Sequence, residues 1–292
     1  ILINITLKSI LNLFFYSVVF IFSSFGLFAL LILFSTLLQE SKTFKNKKDY
    51  LFVILIITFC PTLSFWTSGI GKDSICIFAI ILSSYIVLNQ IKYEFLAIIL
   101  LSFLVFLFRP HISFIIFLSY YLSCFFYTRN YGFLKILIIS LPLLLIYSYI
   151  IGITGFDDNA NSVYSLSSLY EFSNKIYLNN YSDISNYFLF DFKILNFLLE
   201  PLFYNANNLF KLLLSFENLI LFIVFIYLLL NSNLNLVINN KSNTFFILFL
   251  SIFLIILLSF TMSSNLGISS RMKWMCLPPL FIFMFTIQNR KY

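Results

Sequence analysis

"LFVILIITFCPTLSFWTSGIGKDSICIFAIILSSYIVLNQ", residues 51–90, sets two strongly apolar runs on either side of a short polar insert, "SGIGKDS" at 68–74. The runs, 51–67 and 74–90, reach the lower end of the roughly 17–25 residues that cross a bilayer core as a helix. They are continuous rather than alternating with period two, which excludes a β-barrel. Similar runs lie at 11–38, 93–108, 111–127, 136–152, 212–231, 245–262 and 274–288. With a span needing about 20 apolar residues, the sequence predicts about nine spans. The composition agrees: the 292 residues are 61% hydrophobic and 10% charged, with a mean hydropathy of +0.99, where soluble domains carry about 25% charged residues. The fold class expected is therefore all-α, a polytopic transmembrane helical bundle with one large extracytoplasmic loop. Three regions follow: N-terminal membrane helices over 1–152, an extracytoplasmic loop with an interfacial helix over 153–211, and C-terminal membrane helices over 212–292.

The net charge of +7 is not a nucleic-acid footprint, because Lys and Arg in such chains mark the cytosolic loops. Cys60, Cys76, Cys124 and Cys276 are scattered through apolar runs without a CxxC spacing, and read as small buried hydrophobes. His111 is the single histidine, so a histidine-built metal site or a Ser–His–Asp triad lacks material. No cofactor and no metal are expected. The chain opens on Ile rather than Met, from which an upstream piece is expected.

Orientation follows from the short loops. "ESKTFKNKKDY" (40–50) carries Lys42, Lys45, Lys47 and Lys48, and belongs in the cytosol. Alternation then places Lys92, Arg129, Lys135, Lys241 and the Arg290–Lys291 tail inside, with Lys8 outside as the exception. The same alternation puts "SGIGKDS", "RPH", residues 153–211 and "TMSSNLGISSRMK" outside. Within the long stretch, "YFLFDFKILNFLL" (187–199) is apolar but short, carries Asp191 and Lys193, and reads as an interfacial amphipathic helix ended by Pro201.

The outer cations occupy unusual places. Lys72, Arg109, Lys211 and Arg271 with Lys273 precede helices running inward, where the helix dipole disfavours positive charge. Asp73 or Ser74, and Ser269 or Ser270, are candidate N-caps, and Pro110 suits a first helical position. A helix N-terminus beside a Lys or Arg can bind an anion, so converging mouths would form a positive outer pocket. The plainer alternative is that these side chains snorkel to lipid phosphates while Asp73 caps its helix and pairs with Lys72. The long loop mixes acids, tyrosines and asparagines, which suits an oligosaccharide and equally fills an ordinary polar loop.

"PTLSFWTSGIGKDS" resembles a "P…FW(S/T)SG(I/L)GK(D/E)" signature of integral membrane proteins from surface-polysaccharide clusters. "RPHI" and "NLGISSRMKWMCLPPL" are similar to their "RPH" and "N-x-G…R-x-(K/R)…LP" segments. Such proteins look like relatives of the O-antigen and oligosaccharide repeat-unit polymerases. By position, the resemblance marks Lys72, Asp73, Arg109, His111, Asn265, Arg271 and Lys273, in three blocks within residues 61–290. It implies a bacterial cytoplasmic (inner) membrane location in the cell envelope, in lipopolysaccharide or related polysaccharide biosynthesis. It implies as partners a polyprenyl-pyrophosphate-linked oligosaccharide, the lipid bilayer and other polysaccharide-assembly membrane proteins. The chain departs from the family in its smaller helix count.

Three functions follow as expectations. In the first, a glycosyltransferase-like polymerase joins lipid-linked oligosaccharides at the outer face. Lys72, Arg109, Asn265, Arg271 and Lys273 bind substrate, and Asp73 or His111 takes the acceptor proton. The second is a transporter or flippase of a similar lipid-linked saccharide, which should carry charges near mid-membrane. The third is a non-catalytic scaffold of a polysaccharide assembly complex, with its cations dispersed on the lipid-facing rim.

Overall fold

The computed structural model describes residues 2–42, 44, 47–69, 71–127, 194, 197–199, 201, 203, 208–232, 241–262 and 266–288. Among them the secondary structure is helical apart from isolated bridge positions, one of them the bridge between Ser232 and Gln288. The helices are α1 (Leu2–Ser41), α2 (Lys47–Thr58), α3 (Pro61–Ser68), α4 (Lys72–Leu88) and α5 (Glu94–Phe106). They continue with α6 (Pro110–Tyr127), α7 (Leu209–Leu230), α8 (Lys241–Met262) and α9 (Leu266–Thr286). Residues 136–152, the bulk of the 153–211 loop and most of the 187–199 segment lie outside the described residues.

The apolar run expected as one span at 51–67 is two helices, α2 and α3, bent by 43°. Pro61 is the cause. It has no N–H and its ring clashes with the preceding turn, and it drives residue 60 out of the helical region. Cys60 sits at φ −58°, ψ 125° and Pro61 opens α3. The first helix is also longer than its expected span: 40 residues, about 60 Å at roughly 1.5 Å per residue.

Two helices, Val19–Ser41 and Leu209–Leu230, are long and apolar enough to cross a membrane, and the bent α2–α3 pair makes a third if counted as one crossing. Their outward faces carry Phe20, Phe52, Phe59, Leu209 and Leu230, all more than half exposed. Helices that are apolar all round need an apolar solvent or a core on every side, and these large exposed side chains require the former. Within the body, α9 is surrounded: it packs on α1, α3, α4, α7 and α8, and Met272, Trp274, Met275, Cys276, Phe281, Ile282 and Phe285 are almost fully buried. Cys60 and Cys76 are buried as well, and no cysteine is disulfide-bonded.

The helix ends gather in two sets. At one, Gln39 donates to Asn89 at 2.7 Å, Asn243 donates to the Leu88 carbonyl at 3.4 Å, and Tyr50 donates to Gln288 at 2.9 Å. This joins the ends of α1, α4 and α9 to the starts of α2 and α8. At the other lie the end of α3, the start of α4, the α5–α6 junction and the start of α9. One close approach fixes the frame between them. A Cβ added to Gly26 of α1 would lie 2.0 Å from the Thr67 carbonyl oxygen of α3, so the two backbones meet where only glycine fits.

Candidate functional site

Asp73 lies in the first turn of α4 and is 5% exposed. It is not the N-cap that its position suggests; Gly71 is, in extended backbone and without a side-chain cap bond. Asp73 turns inward instead. Its Oδ1 accepts from Nη2 of Arg109, and its Oδ2 lies 2.9 Å from Nε of Arg271. Arg109 occupies the short break between α5 and α6, where Pro110 takes the first helical position. That break brings a guanidinium into the body with 3% exposure. Its Nη1 also donates to Sδ of Met272 at 2.8 Å.

Arg271 does not precede its helix as the sequence suggested. The helix begins at Leu266, so Ser269, Ser270, Arg271 and Lys273 all lie inside α9. This change of register matters, because it points Arg271 sideways at α3 and α4. Its guanidinium lies 5.7 Å from the centre of the Trp66 ring, close enough for a cation–π contact. Trp66 thus backs the arginine that Asp73 holds from the other side.

Two guanidinium groups share one carboxylate, so the cluster keeps a net positive charge. Its hydrogen-bonding capacity is not used up: Nε of Arg109 and Nε of Arg271 are buried without a hydrogen-bond partner, the latter despite its ion-pair contact. Buried donors are nearly always paired. Burial pulls the Arg109 guanidinium below its usual pKa, while Asp73 pushes it back up and Arg271 again lowers it. The carboxylate is what makes the buried Arg109 tolerable beside a second, partly exposed cation.

The remaining sequence candidates are placed differently. Lys72, the first residue of α4, is exposed and is not drawn into the cluster. His111 is half-buried, two residues past Arg109. Lys273 is buried and donates to Oδ1 of Asn218 on α7 at 3.0 Å, away from Asp73. Asn265 lies outside the described residues. The structure therefore brings together Asp73, Arg109 and Arg271, and leaves Lys72 and Lys273 to other surroundings.

A second polar group adjoins the first. Trp274, one turn after Arg271 on α9, donates from Nε1 to Oγ1 of Thr62 at 2.6 Å. The Thr62 hydroxyl donates to Oε1 of Glu217, and its backbone N–H lies 3.3 Å from Oε2. Asn218 in turn donates to the carbonyls of Leu199 and Pro201 at 3.0 and 3.3 Å. Residues i and i+3 share a helix face, so Arg271 and Trp274 link the two groups through α9. Sequence reasoning missed Trp66, Thr62, Glu217 and Trp274. A signal existed for Glu217: it is an isolated carboxylate within the apolar run 212–231, where a charge is costly unless partnered.

A cleft of about 790 Å³ opens between α2–α3 and α7, lined by Phe59, Trp66, Phe210 and Leu213, with Thr62 and Glu217 in its wall. Among the described residues no three His, Cys, Asp or Glu side chains come together in a metal-binding arrangement. The site can thus attract and orient an anion through fixed guanidinium groups, beside an apolar recess. Compared with protein-family models, curated proteins and solved structures, the chain matches none.

Proposed function

We propose that this protein is a multi-pass membrane enzyme of the oligosaccharide-polymerase type. It joins polyprenyl-pyrophosphate-linked oligosaccharides at the outer face of a bacterial cytoplasmic membrane. The observation that carries the reading is the meeting of Arg109 and Arg271, 162 positions apart in the chain, on the single buried carboxylate of Asp73. They meet at the helix ends opposite those of the lysine-rich 40–50 loop, the side that the loop charges assign to the exterior.

In this reading the two guanidinium groups hold the pyrophosphate. They stabilise the charge that grows on it as the glycosidic carbon is attacked by an acceptor hydroxyl. Asp73, with both oxygens taken up by arginine, orients them, and His111 is the neighbouring group left to accept the hydroxyl proton. Lys72, exposed at the mouth, attracts the anion from outside. Expected partners are the lipid-linked oligosaccharide, the bilayer and further polysaccharide-assembly membrane proteins. The full span count of about nine and the large outer loop belong to this proposal. Convergence of the arginines speaks against a scaffold with cations scattered on its rim, and their place at helix ends speaks for surface chemistry over transport.

The test is polymer chain length on a gel, in cells complemented with variants present in the membrane at normal level. Arg109→Ala and Arg271→Ala should abolish long polymer. Arg→Lys at either site should leave a reduced product, because Lys keeps the charge and loses the planar fork. A lost charge-assisted contact is worth about 1.5–3 kcal/mol, roughly ten- to a hundredfold in rate. Normal-length polymer from both alanine variants would overturn the reading.

A further inference from the structure

Two polar side chains stand well inside apolar helices and away from the Asp73 cluster: Asn218 on α7 and Lys273 on α9. The first helix is long and apolar enough to cross a membrane. Lys273 is 3% exposed and lies between Met272 and Trp274, both buried. An amide or an ammonium so placed is costly unless partnered. The Asn218 amide is engaged on both sides. Its Nδ2 donates to the carbonyls of Leu199 and Pro201 at 3.0 and 3.3 Å, and its Oδ1 accepts from Nζ of Lys273 at 3.0 Å. A side-chain amide has two N–H donors, so the group cannot turn over without losing all three contacts.

Lys273 lies two residues beyond Arg271, about 200° round a helix of 3.6 residues per turn. The two cations therefore leave α9 on nearly opposite sides. Arg271 goes to Trp66 and Asp73; Lys273 goes to α7 and, through Asn218, to the chain at 199–201. Pro278 and Pro279 stand inside the same helix, just beyond. Neither has an N–H, so the Trp274 and Met275 carbonyls receive no bond from the next turn of backbone. The turn that carries the cations is thus tied less firmly to the rest of its own helix, and side-chain contacts weigh more in setting its rotation. Apolar side chains in place of a buried polar pair can pack as stably. They do not fix direction, as a hydrogen bond of set length and angle does.

We infer that Asn218 and Lys273 are positioning residues for Arg271: their hydrogen bond fixes the rotation of the first half of α9, and with it the seat of the Arg271 guanidinium against Asp73 and Trp66. This rests on the proposed function in taking Arg271 as a ligand of the pyrophosphate, and gives Lys273 a task other than touching substrate. A guanidinium stands at the end of a long side chain, so a small turn of α9 carries its Nε away from the Asp73 oxygen 2.9 Å distant. The carbonyls of Leu199 and Pro201 complete the arrangement. As acceptors they hold the nitrogen of the Asn218 amide, which leaves its oxygen facing Lys273.

The test uses the full chain in phosphatidylcholine vesicles. Trp66 and Trp274 are its two tryptophans, so in a Trp274→Phe background the emission is that of Trp66, which reports the guanidinium 5.7 Å from its ring. Lys273→Met, which removes the donor and keeps an unbranched side chain, should shift this emission in the direction that Arg271→Ala shifts it. Asn218→Leu should do the same. Neither should shift it further once Arg271 is already Ala. Unchanged Trp66 emission in both Lys273→Met and Asn218→Leu would overturn the inference. A shift that persists in the Arg271→Ala background would overturn it too, since the effect would then reach Trp66 by another route. Should Trp274→Phe fail to reach the membrane, 5-fluorotryptophan in the parent chain gives one fluorine resonance per tryptophan. The same comparison is then read on the Trp66 signal, identified by its loss in Trp66→Phe. In cells, Lys273→Met at normal membrane level should shorten the polymer, by less than Arg271→Ala does. If Trp66 responds as expected but Arg271→Ala still makes full-length polymer, the positioning role stands and the polymerase reading falls. Polymer lost in Arg271→Ala, with parental Trp66 emission in Lys273→Met and Asn218→Leu, gives the reverse.

Discussion

Replacing Asp73 by Ala asks what the carboxylate contributes between two arginines. Asp73 and Arg109 are 5% and 3% exposed, so water cannot take over the vacated side of the Arg109 guanidinium. Removing one partner of a buried ion pair costs about 3–5 kcal/mol, because the other is left as an uncompensated buried charge. Arg271 adds little to that figure, since it is partly exposed and solvent screens it. Asp73→Ala should therefore destabilise the protein by about 3–5 kcal/mol. Arg109→Met should cost less, because Asp73 keeps Arg271. The double variant should fall short of the sum of the two by about 1–3 kcal/mol, the range for residues in direct contact. Reversible unfolding by denaturing detergent, followed by tryptophan fluorescence, measures all four corners of the cycle. The reasoning fails if Asp73→Ala unfolds at the same detergent fraction as the parent protein, or if the two substitutions are simply additive.

Three further outcomes follow from single contacts. Gly26→Ala places a methyl carbon 2.0 Å from a backbone oxygen of α3, and the helices must separate. The protein should then unfold at a lower detergent fraction, and an unchanged midpoint would mean that α1 and α3 do not pack as described. Glu217→Leu leaves the hydroxyl and N–H of Thr62 without their acceptor. It should cost about 1–3 kcal/mol on the same detergent titration, while Glu217→Gln, which keeps one oxygen, should cost less; equal losses would remove the Thr62 contact from the account. In intact cells, Lys72→Cys should react with a membrane-impermeant thiol reagent and Lys92→Cys should not, since Lys72 opens α4 and Lys92 follows its opposite end. Reversed labelling would invert the topology.

The helices were legible where a long apolar run has no internal conflict. The runs at 212–231 and 245–262 correspond to α7 and α8, because a run of 18–20 apolar residues leaves the backbone little alternative in hydrocarbon. The run at 51–67 is apolar as read but is broken into α2 and α3 with a 43° bend at Pro61, which hydropathy does not register because it counts side chains and is blind to a missing N–H. The start of the last helix was placed too late, because Arg271 and Lys273 read as loop residues when judged by charge. In the helix they find Asp73, Trp66 and Asn218, partners brought from other segments, which a linear reading cannot supply. Of the site, the residue types at Asp73, Arg109 and Arg271 stood out in the sequence for being charged beside apolar runs. That they meet, and that Lys72 and Lys273 do not join them, is a matter of helix rotation.

A buried pair of opposite charges can be explained by structure alone; two arginines on one aspartate are harder to explain that way. Apolar residues of similar volume would pack as stably as a buried ion pair, and often more so. A structural pair would also use its donors fully, since an unmet buried N–H costs about 1–3 kcal/mol. Here two guanidinium groups share one carboxylate, and Nε of the buried Arg109 has no hydrogen-bond partner. Under the proposed function, an anion accepting from the guanidinium groups would restore the stability that this arrangement costs the free protein. The same logic explains the aromatic floor: Trp66 shields Arg271 without neutralising it, as a second carboxylate would. Under the proposed function, cations held in place by Asp73 would suit a pyrophosphate leaving group, because charge that develops late meets donors already oriented toward it.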